Sequence, residues 1–356
     1  MRKLWLIIVC YVIAAVLVIP SVVAGVQGIP RTIVATPSGS PRTASTVSPA
    51  TSPTSAAGAA AATATANPQV RVYDRVHGGV RKLSLEEYVV GVTAAEMPAG
   101  FAPEALKAQA VVARTYAWTH LRQNGGRGCS DAPEADFCSD AESGQAWIST
   151  EEMQRRWGSD YGAYIARIKQ AVTDTQGQIA VYDGQPIQAY YYSSAGGQTE
   201  DARQVWGTSL PYLVSVPSPD RDLPTAVAKT IISEKKVAAA LGVPTAALHS
   251  SIVPASTKAP PAVVVLSRTA SGRAERVQVG EVRLDAITLR QKLGLPSTII
   301  VGSEWQGGQL IVETRGYGHG VGMSQYGANA MAQQGDEYAP ILRHYYPGTE
   351  LAQLGS

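Results

Sequence analysis

Glu96 is placed where a carboxyl group can act as an acid. It stands near the end of an expected helix, among Ala94, Ala95 and Met97, with Pro98 behind it. Apolar neighbours and the negative end of a helix both disfavour the carboxylate, which raises its pKa. A carboxylic acid kept protonated near neutral pH can give its proton to a leaving glycosidic oxygen. Taken alone the position is unspecific, because a glutamate near a helix end is ordinarily a solvated surface residue.

Two further segments are unusually polar and rich in glycine. One runs from Tyr190 to Glu200 and carries Ser194 and Thr199; a strand there enters a turn where backbone can approach a ligand closely. The other runs from Gly316 to Gly327, where alternating glycines leave Tyr317, His319, Ser324 and Gln325 on an otherwise bare loop. Donors and acceptors arranged in this way suit sugar hydroxyls. Both segments also read as plain sets of tight turns. His77, His120, His249 and His344 are scattered and receive no role, and for Arg114 and Tyr116 packing is the stronger reading.

Helices and strands of both kinds must position these residues. Ser84-Leu85-Glu86-Glu87 has the capping-box pattern and predicts a helix from Leu85 to about Glu96, stopped by Pro98 and Gly100. Pro103 and Glu104 open a second helix reaching about Leu121, with Leu106, Ala110, Ala113 and Ala117 inward. Asn124 to Asp140 reads as loop and Tyr161 to Thr175 as helix. Ile179–Tyr182 and Ile187–Tyr192 read as a hairpin about Asp183-Gly184. Further strands fall near Val70, at Val263–Leu266, Arg276–Val279 and Gln309–Thr314, with helices at Leu284–Leu293 and from Ser324 to about Gln334. Separate runs of helix and strand, without regular alternation, argue an α+β fold.

The totals and the first residues indicate where such a domain works. The formal charge is only +2 over 356 residues, so nothing suggests nucleic-acid binding. Residues 1–33 form a membrane segment: Met1-Arg2-Lys3 precedes an uncharged, largely apolar stretch from Leu4, and about 20 apolar residues suffice to span a bilayer. The basic start predicts a cytoplasmic N-terminus and an exported remainder. A cleaved signal peptide, with Val22 and Ala24 before the cut, is the competing reading, but its apolar region should be only roughly 7–15 residues long. Both readings export the domain. Residues 34–68 are Ala, Thr, Ser and Pro with Arg42 the only charge, the composition of a disordered stalk. Cys10 lies in the apolar segment. Cys129 and Cys138 lie in a polar loop on the oxidising side, where a disulfide is the default; a zinc site would need two more ligands, and the only close histidine is His120.

Leu85–Val92, Ala95-Glu96-Met97-Pro98 and Glu104–Ala117 together resemble the stage II sporulation protein D family. The resemblance continues through Tyr191–Thr199, Trp206, Pro211-Tyr212-Leu213 and Gly316–Ala328, and so extends over nearly all of residues 69–356. It implies a membrane-anchored lytic transglycosylase that acts, without cofactor, on peptidoglycan strands stripped of their stem peptides. A membrane-bound cell-wall amidase and other engulfment proteins are the implied partners. Glu96 matches the family's catalytic glutamate, which would first protonate the bridging oxygen and then deprotonate the muramic acid 6-hydroxyl. That intramolecular nucleophile removes the need for the second carboxylate of a hydrolase, although Glu200 could assist. Tyr317, His319, Ser324 and Gln325 match the family's glycine-rich cleft motif, and Ser194 and Thr199 its serine–glycine turn.

The sequence departs from the family in places. Some members hold zinc with two cysteines and a histidine; here Cys138 fits the first cysteine, but Ser143 and Gly144 stand where the histidine and second cysteine would be. A Cys129–Cys138 disulfide in place of the metal is the expectation. Residues 220–261 match poorly and read as a variable insertion. The same domain occurs in amidase enhancers, so a non-catalytic glycan-binding module is the alternative. A purely structural tether would leave the cleft motifs unused.

Overall fold

The computed structural model describes residues 68–223, 227–249 and 261–355. The expected membrane segment, and the stalk apart from Pro68, lie outside the described residues. Among those described, no helix is long and apolar enough to cross a membrane. The architecture is α+β.

The order of elements begins with a hairpin, β1 (Gln69–Tyr73) and β2 (Val80–Ser84), followed directly by α1 (Leu85–Glu96) and α2 (Pro103–His120). Both halves of the Ser84–Glu87 capping box are present, with the Ser84 amide donating to Glu87 at 2.8 Å. β3 (Phe137–Cys138) adds to β1 in parallel, so part of the stretch expected to be loop is tied into a sheet. Then come α3 (Thr150–Trp157) and α4 (Tyr161–Asp174).

α2 is the axis of this half. Ala110, Ala113 and Ala117 face one apolar core with Val89, Val92 and Ile168, while Ala108, Val111 and Val112 face a second with Ala180, Ile341 and Tyr345. A helix that is apolar on every side must be enclosed, and its many alanines let neighbours approach closely. Arg114, also on α2, is fully buried and binds both Glu86 oxygens, at 2.6 and 2.8 Å, besides the carbonyls of Gln178 and Val172. It therefore packs and braces, joining α1, α2, α4 and the next strand.

The hairpin expected over 179–192 is cut short. Within the hairpin β4 (Gln178–Tyr182) pairs with Gln185–Pro186 (β5), and one further hydrogen bond, from the Ile187 amide to Ala180 O at 3.1 Å, closes it. The other edge of β4 is taken by the C-terminal strand, Glu350–Gln353. Tyr191–Tyr192 (β6) instead pair in parallel with Met323–Ser324, which brings the two glycine-rich segments side by side. Between them lie α5 (Ala202–Trp206), β7 (Val227–Ser233), α6 (Glu234–Leu241), β8 (Val263–Arg268), β9 (Ala274–Val279), β10 (Val282–Asp285), α7 (Ala286–Leu293), β11 (Ile299–Gln306) and β12 (Gln309–Arg315). β8–β9–β10 form a meander, and β12 is central between β11 and β7. Residues expected to be an insertion thus supply a sheet strand, and Val237, Ala238 and Leu248 join a third core. Met323–Ser324 (β13) leads into α8 (Gln325–Gln333), which is followed by α9 (Tyr338–Tyr345) and β14 (Glu350–Gln353).

Replacing Arg114 by methionine should strand the Glu86 carboxylate, whose side chain is only 17% exposed. We expect a loss of about 3–5 kcal/mol in urea unfolding. A loss below about 1 kcal/mol would show that the pair does not brace the helices.

Candidate active site

Glu96 is the last residue of α1, and Met97 leaves the helix in an extended conformation. Its Oε1 accepts a 2.6 Å hydrogen bond from the Ala146 amide. That amide is delivered by a segment lying flat on α1, where the Ile148 amide donates to Gly91 O. A Cβ on Gly91 would stand 2.1 Å from the Trp147 indole nitrogen and 2.9 Å from Ile148 O, so only glycine admits the segment. Burial raises the pKa of Glu96; the Ala146 amide and the nearby polar side chains of Gln325 and Tyr191 offset part of that rise. No second carboxylate is among the groups that shift it.

The opposite wall comes from the two glycine-rich segments. Ser194 and Tyr317 exchange backbone hydrogen bonds at 3.0 and 2.8 Å. Gly322, at φ +78°, passes Tyr190 so closely that a Cβ would lie 2.0 Å from its carbonyl oxygen. Both loops are held by Asp220, which is fully buried. Its Oδ2 accepts from Ser194 Oγ (3.1 Å), the Ala195 amide (2.6 Å) and Ser324 Oγ (2.7 Å), and its Oδ1 from the Gly197 amide (3.1 Å).

The expected site residues therefore separate. Gln325, at the start of α8, reaches Glu96 and also donates to Gln109. Ser324 caps α8 and binds Asp220; Ser194 binds Asp220; Thr199 is buried and joined to the backbone of Val214 and Val216. These three hydroxyls shape the wall from behind. Tyr317 stands 56% exposed on the rim. His319 has both ring nitrogens engaged: Nδ1 accepts from the Val321 amide, so Nε2 carries the proton and donates to Tyr191 O. Burial pushes its pKa down to about 4 and keeps it neutral. Glu200 is not beside Glu96; its carboxylate accepts from the Thr269 and Ser271 hydroxyls.

Other contributors carried no local signal. Gln145 is buried, accepts from Tyr191 O–H at 3.0 Å and donates to Tyr88 and to Ala113 O, fixing the tyrosine that touches Glu96. Tyr116, its pKa pushed up to about 12 by burial, feels the charge of Glu96 from α2. Trp206 is 44% exposed and stacks on Tyr190 and His319, with ring centres 4.7 and 5.3 Å away.

Cys129 and Cys138 are joined in a disulfide. With Cys138 bonded and Ser143 and Gly144 offering no strong ligand, the residues present do not fit a zinc site. Among the described residues no group of three or more His, Cys, Asp or Glu is placed to hold a metal.

A family profile described as stage II sporulation protein matches residues 73–182, which include α1, Glu96 and Gln145. Stage II sporulation protein D of Bacillus subtilis is 38% identical over 80% of this chain and 79% of its own length. That of Bacillus amyloliquefaciens is 37% identical over 81% and 79%. The chain belongs to the stage II sporulation protein D family. An amidase enhancer of B. subtilis is also similar, 29% identical over 73% of this chain but only 40% of that protein. The similarity to the two sporulation proteins spans most of both chains, and so reaches well beyond the segment that carries Glu96.

Asp220→Asn tests the frame of this family member's cleft. An amide offers one acceptor oxygen and two donors to partners that all donate, so we expect a loss of about 2–4 kcal/mol. Hydrogen exchange at the Ala195 and Gly197 amides should accelerate at least tenfold relative to amides of α2. Unchanged protection would mean that Asp220 does not hold the loops.

Proposed function

We propose that this protein is a lytic transglycosylase that cleaves peptidoglycan strands stripped of their stem peptides, leaving 1,6-anhydro-muramic acid ends. The reading is carried by Glu96, a partly buried carboxyl group with a raised pKa and no second acid among the groups that shift it. A hydrolase needs two carboxyl groups across the scissile bond; a transglycosylase borrows its nucleophile from the sugar. Glu96 protonates the bridging oxygen as the bond to the anomeric carbon breaks. The resulting carboxylate then removes the proton of the muramic 6-hydroxyl, whose oxygen closes on the anomeric carbon. The proton returns to Glu96 and no water is consumed. Gln145 and Tyr191 position this group, and exposed Tyr317 and Trp206 offer apolar faces of the kind on which sugar rings stack.

Residues 1–33 and 34–68 fit a single membrane anchor with a cytoplasmic N-terminus and a stalk. The catalytic domain then works outside the cell membrane, beside an amidase that prepares its strands during engulfment. A second reading, a glycan-binding module that enhances an amidase, is favoured by the similarity to the amidase enhancer.

Mass spectrometry of peptide-free strands treated with the full-length protein separates these readings. Anhydro ends should form, and Glu96→Gln should lower their rate by about 10²–10⁴-fold. Reducing ends would make the protein a hydrolase, while strand binding without cleavage would favour the enhancer. The pH profile carries a further sign. The first step needs protonated Glu96, so the rate should fall as pH rises through a pKa above the ordinary 4.5. Because the folded state holds this proton more tightly than the unfolded chain, stability due to Glu96 is full below 4.5 and declines as pH rises toward the folded value. Glu96→Gln should remove that decline, measured as melting temperature against pH.

A further inference from the structure

A cavity of about 120 Å³ is lined in part by Gly318 and His319. Arg273, 2% exposed, lines it. Its Nη2 donates to Ala195 O at 3.0 Å and to Gln198 O at 3.5 Å, but Nε and Nη1 have no partner although both are buried. Burying donors without acceptors costs free energy, and a native protein leaves few such groups unpaired. Gly320 gives the guanidinium its place, since a Cβ there would come within 2.9 Å of three of its atoms.

Arg290 lines the same cavity, half-buried, with Nε held by Pro296 O. Burial lowers its pKa, and the charge of Arg273 adds to that effect, so two cations face one space. Three carboxylates also line it, and each is already hydrogen-bonded. Glu200 accepts from Thr269 and Ser271, Asp285 caps α7 through Thr288, and Glu275 accepts from Ser267. Neither arginine forms an ion pair with them within 4.0 Å. Trp206 and Tyr317 stand at the rim: Gln204 and Val205 beside Trp206 line the cavity, and Tyr317 is close enough to act on the charge of Arg290.

We propose that Arg273 and Arg290 form a carboxylate-binding subsite that recognises the free lactyl carboxylate of muramic acid. The proposal rests on the glycan reading above and deepens it. In muramic acid the lactyl ether ends in an amide while a stem peptide is attached and in a carboxylate once that peptide is removed. The Nη edge of Arg290 can pair with a planar carboxylate through two parallel hydrogen bonds while Arg273 adds single N–H donors, whereas a neutral amide accepts through one oxygen and brings its own donor against the cations. The cavity has room for a carboxylate on a short stem. Preference for stripped strands then resides in Arg273 and Arg290, at a distance from Glu96 along the Tyr191–His319 contact.

The test uses full-length protein and two ligand sets. D-lactate, titrated against the arginine Nε–H signals in NMR, should bind saturably and lose that binding in Arg290→Gln and Arg273→Lys. Peptide-free muramyl glycan fragments should bind at least about tenfold tighter than the same fragments with the lactyl group converted to its methylamide. Arg290→Gln should abolish that difference and leave the amide affinity unchanged. Absence of lactate binding overturns the anion site, whatever the protein does to glycan. Equal affinity for both fragments overturns the lactyl assignment and leaves the glycan reading intact. Lactate binding with neither fragment bound overturns the lactyl assignment together with the glycan reading. Arg290, on the cavity wall of a short helix, keeps the test independent of any folding defect at Arg273.

Discussion

Asp220 is the constraint on which the cleft depends. Glycine-rich loops lose the most conformational freedom on folding and contribute few side chains that could offset that loss by packing. Residues 194–197 and 316–324 therefore need a strong common anchor. One buried carboxyl group supplies it, accepting four hydrogen bonds from Ser194, Ala195, Gly197 and Ser324. Bonds to an acidic group of this kind are roughly twice as strong as those between neutral groups. The anchor also sets α8, because Ser324 both caps that helix and binds Asp220, and so it fixes Gln325 against Glu96.

Glu96 is solvated in the opposite way. Where Asp220 is surrounded by donors, Glu96 has one short backbone bond from Ala146 with the polar side chains of Gln325 and Tyr191 nearby, and burial outweighs their effect. The difference follows from backbone geometry. Asp220 sits where loop amides converge, whereas Glu96 ends a helix, where the nearby backbone groups are carbonyls that cannot donate. A group that stabilises structure and a group able to give up a proton are thus made from the same chemistry in two settings.

Much of this was legible in the sequence, and what was not has a physical cause. The capping box at Ser84, the proline start at Pro103 and the stop at Pro98 are local signals, and α1, α2 and the position of Glu96 follow from them. The expected strand over Ile187–Tyr192 was lost to pairing across the chain, since Tyr191 and Tyr192 bond to Met323 and Ser324. Period and propensity carry no information about so distant a partner. Asp220 fell within a stretch that looked like an insertion, and a single aspartate between Pro219's neighbours and Arg221 gives no sign of where its donors are. Ser194, Thr199 and Ser324 were read as facing a ligand because hydroxyls beside glycines suit one; their oxygens are directed inward, to Asp220 and to the Val214–Val216 backbone.

His319 shows why residue type alone misleads at such a site. A histidine on a glycine-rich loop near a carboxyl group of raised pKa invites a role in proton transfer. Here the Val321 amide occupies Nδ1, and Nε2–H is committed to Tyr191 O, so either transfer would first have to break a backbone hydrogen bond. Burial pushes its pKa down to about 4, which leaves it neutral near neutral pH. Its ring instead ties the Gly318–Val321 turn to the strand bearing Tyr191, whose hydroxyl donates to Gln145 and lies beside Glu96. The histidine acts on the acid through two intermediates, by holding the tyrosine in place. Glu96, by contrast, keeps a raised pKa with only one backbone hydrogen bond to its carboxyl group.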